Sequence, residues 1–529
     1  MNPMNRLCLA LTLCAAVFAA ACGGGGSTPM PPPPVGNFSN SSLSGQYAFS
    51  MSGTDAITGS FFARVGSFTA DGNGNITAGI EDVNTAINGQ QTLPFTASAY
   101  SVQADGRGTL NLINATGTIT FSITMLSPTK GLIVETDLNA TASGTFVIQN
   151  PNSFNTAGIS GNYVFDFTGL DFGPVALGAP DSIVGQFVST GSGTFSSGLL
   201  DENDNGVRSG AATFSSGSYQ MDATNGPTFG RGTATFIANG VTFSYFFYIV
   251  NGSRIRFIES NSNALTIGEA VTQTSVPATN TNFNGNFAYL LSGVGSRSQL
   301  TRIGRFTADG SGGLGSIFAD TNDGGTAAQV PSGSLSATTY AIDTNFPGTG
   351  RGTLTFTDSK LGTFNYVVYL SSSSGGVIQD VSKNTVADGN IQLQTGSPFS
   401  NSSLAGNYGF NFSGIGNNST NGVLGEEDYV GQIALTGAAS NNVSGAVDFS
   451  AFSSNQGVFL NVVVSGNGLT VGGDGTTSTG TRNTLSLKLA GNPSTTLTFA
   501  AYIVNSQTLY VAGTDSARVI SGTVTVQAP

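Results

Sequence analysis

Gly45-Gln46-Tyr47-Ala48-Phe49-Ser50-Met51-Ser52-Gly53 spaces three large apolar side chains two residues apart. Tyr47, Phe49 and Met51 therefore fall on one face of an extended strand. The other face is small or polar and glycines bound the run, the pattern of a half-buried strand between turns. The stretch recurs as Gly161-Asn162-Tyr163-Val164-Phe165-Asp166-Phe167-Thr168-Gly169, as Gly285-Asn286-Phe287-Ala288-Tyr289-Leu290-Leu291-Ser292-Gly293, and as Gly406-Asn407-Tyr408-Gly409-Phe410-Asn411-Phe412-Ser413-Gly414. Its spacing of about 120 residues is that of one small domain, so the sequence predicts four tandem copies of an all-β unit.

Other blocks keep the same spacing. Gly66-Ser67-Phe68 is followed by Asp71-Gly72-Asn73-Gly74, and Gly304-Arg305-Phe306 by Asp309-Gly310-Ser311-Gly312. Asp-Gly and Asn-Gly between apolar strands mark a hairpin. Gly106-Arg107-Gly108-Thr109 returns at Gly230 and Gly350 and degenerates in the fourth copy to Gly480-Thr481-Arg482-Asn483-Thr484. Each copy closes on a Gly five residues before a Gln: Gly144 and Gln149, Gly268 and Gln273, Gly389 and Gln394, Gly522 and Gln527. Alternating runs such as Phe121-Ser122-Ile123-Thr124-Met125 and Phe243-Ser244-Tyr245-Phe246-Phe247 fill the intervals, giving about eight strands per copy on short turns. Sequential short connections favour up-and-down β-barrels, which also remove sheet edges; β-sandwiches are the alternative.

Composition narrows the chemistry. The chain of 529 residues has 74 Gly, 17 Lys and Arg, 29 Asp and Glu, and a formal net charge of −12. Scattered, scarce basic residues argue against nucleic acid as a partner. There is no His and no Trp, and the three cysteines are Cys8, Cys14 and Cys22. Disulfides between the repeats, Cys/His zinc sites and His-dependent nucleophilic catalysis are therefore excluded.

Residues 1–21 read as a signal peptide: Arg6 is the basic start, Leu7 to Phe18 the short apolar core, and Ala19-Ala20-Ala21-Cys22 the end. That end resembles the lipobox of bacterial lipoproteins, with Ala19 where the family usually has Leu; the resemblance implies lipidation of Cys22. Ordinary cleavage after Ala21, giving a secreted or periplasmic chain, is the alternative. Gly23 to Gly26 and Pro31 to Pro34 form a flexible and then stiff tether over 22–36. Gly23 after the Cys implies, by the same resemblance, an outer-membrane or cell-surface destination. The expected layout continues with β-domains at 37–151, 152–276, 277–397 and 398–529.

The Gly-x-aromatic opening strand also resembles the calycins, the lipocalin and avidin-like barrels, whose motif is Gly-x-Trp. That resemblance implies a barrel with room for a small apolar ligand. Lipobox, tether and Gly-Asn-Tyr repeats together resemble bacterial surface lipoproteins.

Asp201-Glu202-Asn203-Asp204-Asn205-Gly206 sets oxygen ligands at positions 1, 3 and 5 and Gly at 6, like half a calcium loop. Ala212 stands where the bidentate acid belongs, so Asp201, Asn203 and Asn205 are calcium candidates against an Asx turn as the alternative. Asp82, Asp320 and Asp448 recur at the position of Asp201. Arg107, Arg231 and Arg351, each preceded by an Asp (Asp105, Asp222, Asp343), suggest an ion pair at a barrel mouth, or an anion site. Glu135 and Glu259 occupy one equivalent position, matched in copy three to Gln379. No repeated pair of carboxylates suits glycoside hydrolysis. The expected function is non-catalytic: an exported lipoprotein, membrane-bound through its lipid, displaying β-domains for binding, adhesion or envelope structure. No cofactor beyond calcium is expected, and a surface protein or glycan is the expected partner. A lipocalin-like carrier and a carboxylate-based carbohydrate hydrolase are the competing readings.

Overall fold

The structure, a computed structural model, describes residues 36–172, 178–261, 264–274, 279–417, 424–438, 442–452, 457–471, 482–491 and 495–529. The expected signal peptide, Cys22 and all of the tether but Gly36 lie outside the described residues. The described residues form one compact unit.

The chain is all-β, in four successive antiparallel sheets that each curl on themselves. Barrel 2 (residues 160–272) and barrel 4 (residues 406–526) are closed ladders of eight strands in chain order. Barrel 1 (residues 44–148) has nine strands: one position is split between Gly89–Pro94 and Ser98–Val102, and the latter completes the circle against Asn75 and Ile76. Barrel 3 (residues 284–393) is a nine-stranded sheet, and one bridge, from Gly313 beside strand Leu314–Asp323 to Thr339 in the end strand Leu335–Ile342, spans its open side. The meander connections expected from the short turns are present throughout.

The opening strand pairs with both the second and the last strand of its barrel, so its aromatic face looks into the interior. In barrel 1 Tyr47 lies opposite Phe68 and Ile148. Tyr47 stacks on Phe68 at 5.5 Å, and Tyr163 on Phe187 at 5.2 Å. The recurrent glycine of the second strand has a steric reason. A Cβ at Gly66, Gly185, Gly304 or Gly431 would come within 2.5–2.7 Å of the aromatic ring or hydroxyl of Phe49, Phe165, Tyr289 or Phe410. Only glycine lets that ring lie flat across the neighbouring strand. One contiguous apolar cluster fills each barrel. The stripe Tyr47, Phe49 and Met51 is buried within it and packs against other side chains. The Asp71 and Asp309 turns are hairpins: Asp71 accepts from Asn73 and Asn75 N–H groups at 2.7 and 3.0 Å. Asp309 accepts from three successive backbone N–H groups, which hold its carboxyl down at about 2.

The barrels also pack on one another. The first three strands of one barrel lie against the last three of the next, burying a second set of apolar residues. Val65 and Ile80 of barrel 1 meet Tyr248, Ile258 and Ile267 of barrel 2. Val184 and Leu199 of barrel 2 meet Val367 and Tyr369 of barrel 3. Ile303 of barrel 3 meets Tyr502 and Val504 of barrel 4. Val430 of barrel 4 meets Leu126, Leu132 and Val134 of barrel 1. The last contact closes the four barrels into a ring.

Candidate functional site: four seams, an axial cavity and the barrel mouths

The acids and arginines that recur in the sequence meet across the seams between barrels. At the 1–2 seam Asp82 accepts from Arg231 Nε and Nη2 at 2.7 and 2.9 Å, and from the Tyr248 hydroxyl at 2.8 Å. At the 2–3 seam Asp201 accepts from Arg351 Nε and Nη2 at 2.7 and 2.8 Å, and from Tyr369 at 2.6 Å. At the 3–4 seam Asp320 accepts from Arg482 Nε and Nη2 at 2.8 and 2.6 Å, and from Tyr502 at 2.8 Å. The fork of the guanidinium matches both carboxylate oxygens, the strongest geometry for such a pair. Burial, then the adjacent Asp82 carboxylate, holds the Tyr248 phenol well above its ordinary value, so it stays a donor.

Two further side chains complete each latch. Asn84, Asn203 and Asn322 stand two residues after the acid and donate to carbonyls of the following barrel: Glu259, Thr385 and Gly513 respectively, at 3.0, 2.7 and 3.0 Å. The closing glutamines bind the strand beyond their own barrel. Gln149 donates to Ile249 O at 2.6 Å, Gln273 to Leu370 O at 2.7 Å, Gln394 to Ile503 O at 2.6 Å and Gln527 to Met125 O at 2.8 Å. The next residue repeats the link through its backbone: Asn150 N to Val250 O, Thr274 N to Ser371 O, Thr395 N to Val504 O, Ala528 N to Leu126 O.

The calcium candidates are therefore engaged otherwise. Both Asp201 oxygens face Arg351, with Tyr369 on one of them. Asn203 donates its amide to barrel 3 and accepts from Gly206 N at 3.1 Å. Asn205 sits in a left-handed turn, φ 47°, its N–H on Pro180 O. Among the described residues no group of three or more Asp, Glu, Cys or His side chains is arranged to hold a metal ion. The expected in-barrel pairs do form: Arg107 with Asp105 at 2.9 Å, Arg231 with Asp222, and Arg351 with Asp343 at 2.7 Å. Sequence spacing pairs each arginine with the Asp of its own repeat and carries no signal for the partner one repeat earlier, or for Tyr248, Tyr369 and Tyr502.

Where the ring axis opens, a cavity of about 560 Å³ is bordered by all four barrels. Phe61, Leu170, Val294 and Ile415 give it an apolar wall, and Thr54 and Glu426 add polar groups.

The barrel mouths differ in charge. In barrel 3 the guanidinium of Arg302 lies 4.7 Å from the Phe364 ring centre and pairs with buried Asp380. In barrel 1 Arg64 lies 3.1 Å from Glu81 and 3.6 Å from Glu135. In barrel 4 Arg518 lies 2.8 Å from Glu427. Barrel 2 has Ile183 at the register of Arg64 and Arg302, opposite Phe167 as those face Met51 and Leu291. It keeps the acid Glu259 and adds two more, Asp181 and Glu202, at positions where barrels 1 and 3 have none. Burial, then the carboxylates of Glu202, Asp204, Asp171 and Glu259, pushes Asp181 well above the ordinary range. Burial pushes Glu202 and Glu259 up to about 7. Register corrects one sequence expectation. Asp380, not Gln379, faces Tyr366 as Glu135 faces Phe121 and Glu259 faces Tyr245, so copy three retains the acid. The single-residue offset was invisible without strand pairing.

No family model matches the chain. It is 30% identical over 249 residues to Outer membrane protein B of Rickettsia rickettsii, covering 46% of this chain and 14% of that relative. Among solved structures, Transferrin Binding Protein B from Haemophilus parasuis is 11% identical with a TM-score of 0.19, covering 75% of this chain and 82% of that one. Its counterpart from Neisseria meningitidis is also 11% identical, with a TM-score of 0.21 and coverages of 74% and 82%. TM-scores this low establish no shared architecture.

Proposed function

We propose that this chain is a non-catalytic exported lipoprotein that holds a rigid ring of four β-barrels at the outer membrane or cell surface, where the outer rim binds a surface protein or glycan. One observation carries the reading: the residues that recur from repeat to repeat are spent on latching barrels together. Asp82, Asp201 and Asp320, with their arginines and tyrosines, are consumed at seams. The barrel interiors are filled by their own side chains, which disfavours an interior apolar ligand. The carboxylates at the mouths of barrels 1, 3 and 4 are paired with arginine, which disfavours glycoside hydrolysis there. The stretch of likeness to an outer membrane protein agrees with a surface location.

Two measurements test this. Cell fractionation and protease shaving should place the native chain in the outer membrane, exposed, with Cys22→Ser released into the soluble fraction; a soluble native chain overturns the anchor. Residues 37–529 on glycan and protein arrays should give saturable binding with no product on any hit; turnover overturns the non-catalytic reading.

A further inference from the structure

Three seams join barrels that the chain already connects, whereas the 4–1 seam alone has no covalent link beside it. Among the described residues its recurrent latch is also the least complete. Asp448 takes the place of Asp82, Asp201 and Asp320, yet its nearest approach to Arg107 is 3.8 Å. Arg107 Nη1 donates instead to Asn461 Oδ1 at 2.9 Å. The register that puts Tyr248, Tyr369 and Tyr502 opposite the latch arginine puts Thr124 opposite Arg107. The Thr124 hydroxyl is buried without a hydrogen-bond partner. Ser450 replaces the latch asparagine, and its hydroxyl is likewise buried and unpartnered, as are both amide atoms of Gln432. The apolar contact is the smallest of the four, with Val430 as the single buried residue that barrel 4 contributes to it. The described bonds that hold the seam are Arg107 to Asn461, Gln527 to Met125 O and Asp105 O, Ala528 N to Leu126 O, the Asn411 amide on Gly144 O at 3.3 Å and the Thr141 hydroxyl on Asp428 at 2.7 Å.

The two faces of this seam are unlike each other and complementary, as in a heterologous interface. The other three seams demonstrate that each kind of face binds the other kind on a different barrel. We propose that the ring opens at the 4–1 seam and that the freed faces bind those of a second copy of the chain, two four-barrel rings exchanging into one eight-barrel ring. The exchanged contacts are the same as those broken, so the cost is that of opening the seam and bringing two chains together. High local concentration offsets the second part of that cost, as multivalent linkage does.

The test uses the full chain with Cys8, Cys14 and Cys22 replaced by serine. One preparation carries Leu126→Cys and another Val430→Cys, residues of the apolar cluster that spans the seam. The two are mixed, incubated at high concentration and oxidised. A disulfide-linked pair of unlike chains is expected, because barrel 4 of one copy meets barrel 1 of the other. Val65→Cys mixed with Ile258→Cys, a pair from the 1–2 seam, is the control and should give at least fivefold less. Adding Thr124→Tyr and Ser450→Asn, which copy the stronger latches, should lower the yield of the first pair severalfold. No linked pair at 4–1, or equal yields at both seams, overturns the proposal; native gels of the unoxidised mixtures check that every variant is folded.

Discussion

Barrels 2 and 3 are adjacent copies of one unit with opposite answers to a shared difficulty, a carboxyl group sealed inside a barrel mouth. Barrel 3 supplies Arg302 against Asp380, over the Phe364 ring. Barrel 2 retains the aromatic and the acid, Phe243 and Glu259, but has Ile183 where the arginine would be. Glu259 is met by neutral donors, Thr266 at 2.6 Å and Asn261 at 2.6 Å, and burial raises all three acids toward the protonated form. A buried ion pair is fixed by geometry, whereas a buried neutral acid is fixed by pH. The two barrels should therefore fail in different ways.

The largest effect is expected from Arg302→Met. It leaves the buried Asp380 carboxylate without a counter-charge, a loss on the order of 3–5 kcal/mol for barrel 3. Hydrogen exchange in strands 362–372 and 375–380 would read it, and an unchanged rate would break the comparison. Next comes pH. Asp181, Glu202 and Glu259 have folded pKa values above their unfolded ones. Folding then costs nothing extra below the ordinary carboxylate range, and stability falls as pH rises from about 4 to about 7. Glu259 alone should contribute a fall of about 3 kcal/mol, with Asp181 and the partly exposed Glu202 adding to it. Denaturant melts of the native chain and of Asp181→Asn with Glu259→Gln would show it, the variant giving the flatter profile. A smaller effect, about 1 kcal/mol at pH 7, is expected from converting barrel 2 to the barrel 3 solution with Ile183→Arg and Phe167→Leu. The gain should vanish near pH 4, where the acids carry their own protons. The smallest is the response to calcium. With Asp201 held by Arg351, millimolar calcium should leave the melting temperature unchanged. A rise in the native chain that Asp201→Asn abolishes would return Asp201, Asn203 and Asn205 to a calcium role.

Much of the architecture was legible because it is local. Alternation in Tyr47-Ala48-Phe49-Ser50-Met51 shows which face is buried, and the glycine before Phe68 marks the place where Phe49 crosses its neighbour. The latches were half visible. Asp-x-Asn, Gly-Arg-Gly-Thr and the closing Gln all recur at repeat spacing, and that regularity announces a structural task. Their partners could not be read from it, because an acid in repeat n meeting an arginine in repeat n+1 has the same periodicity as one meeting its own. The tyrosines were hidden among the outward positions of a strand whose inward aromatics dominate the pattern. Tyr248 stands between Phe247 and Ile249, and only the packing of a second barrel on that outer face gives it a partner. The charge difference at the mouths was hidden for another reason: it rests on Ile183, an unremarkable core residue whose meaning lies in not being arginine.

The closing seam also brings the two ends of the folded region side by side. Phe38 donates its N–H to Ala104 O at 3.2 Å, and Gln527 donates to Asp105 O at 3.0 Å, so both grip the same turn of barrel 1. A short linker from 529 to 37 would make the backbone endless, and the gene could then be cut at any of the other three joints. Order along the polypeptide would change while every neighbour in space stayed the same. Such circular permutants turn the number of a barrel into a choice of the engineer, and they offer a way to move the point of attachment of any added segment from one side of the ring to another.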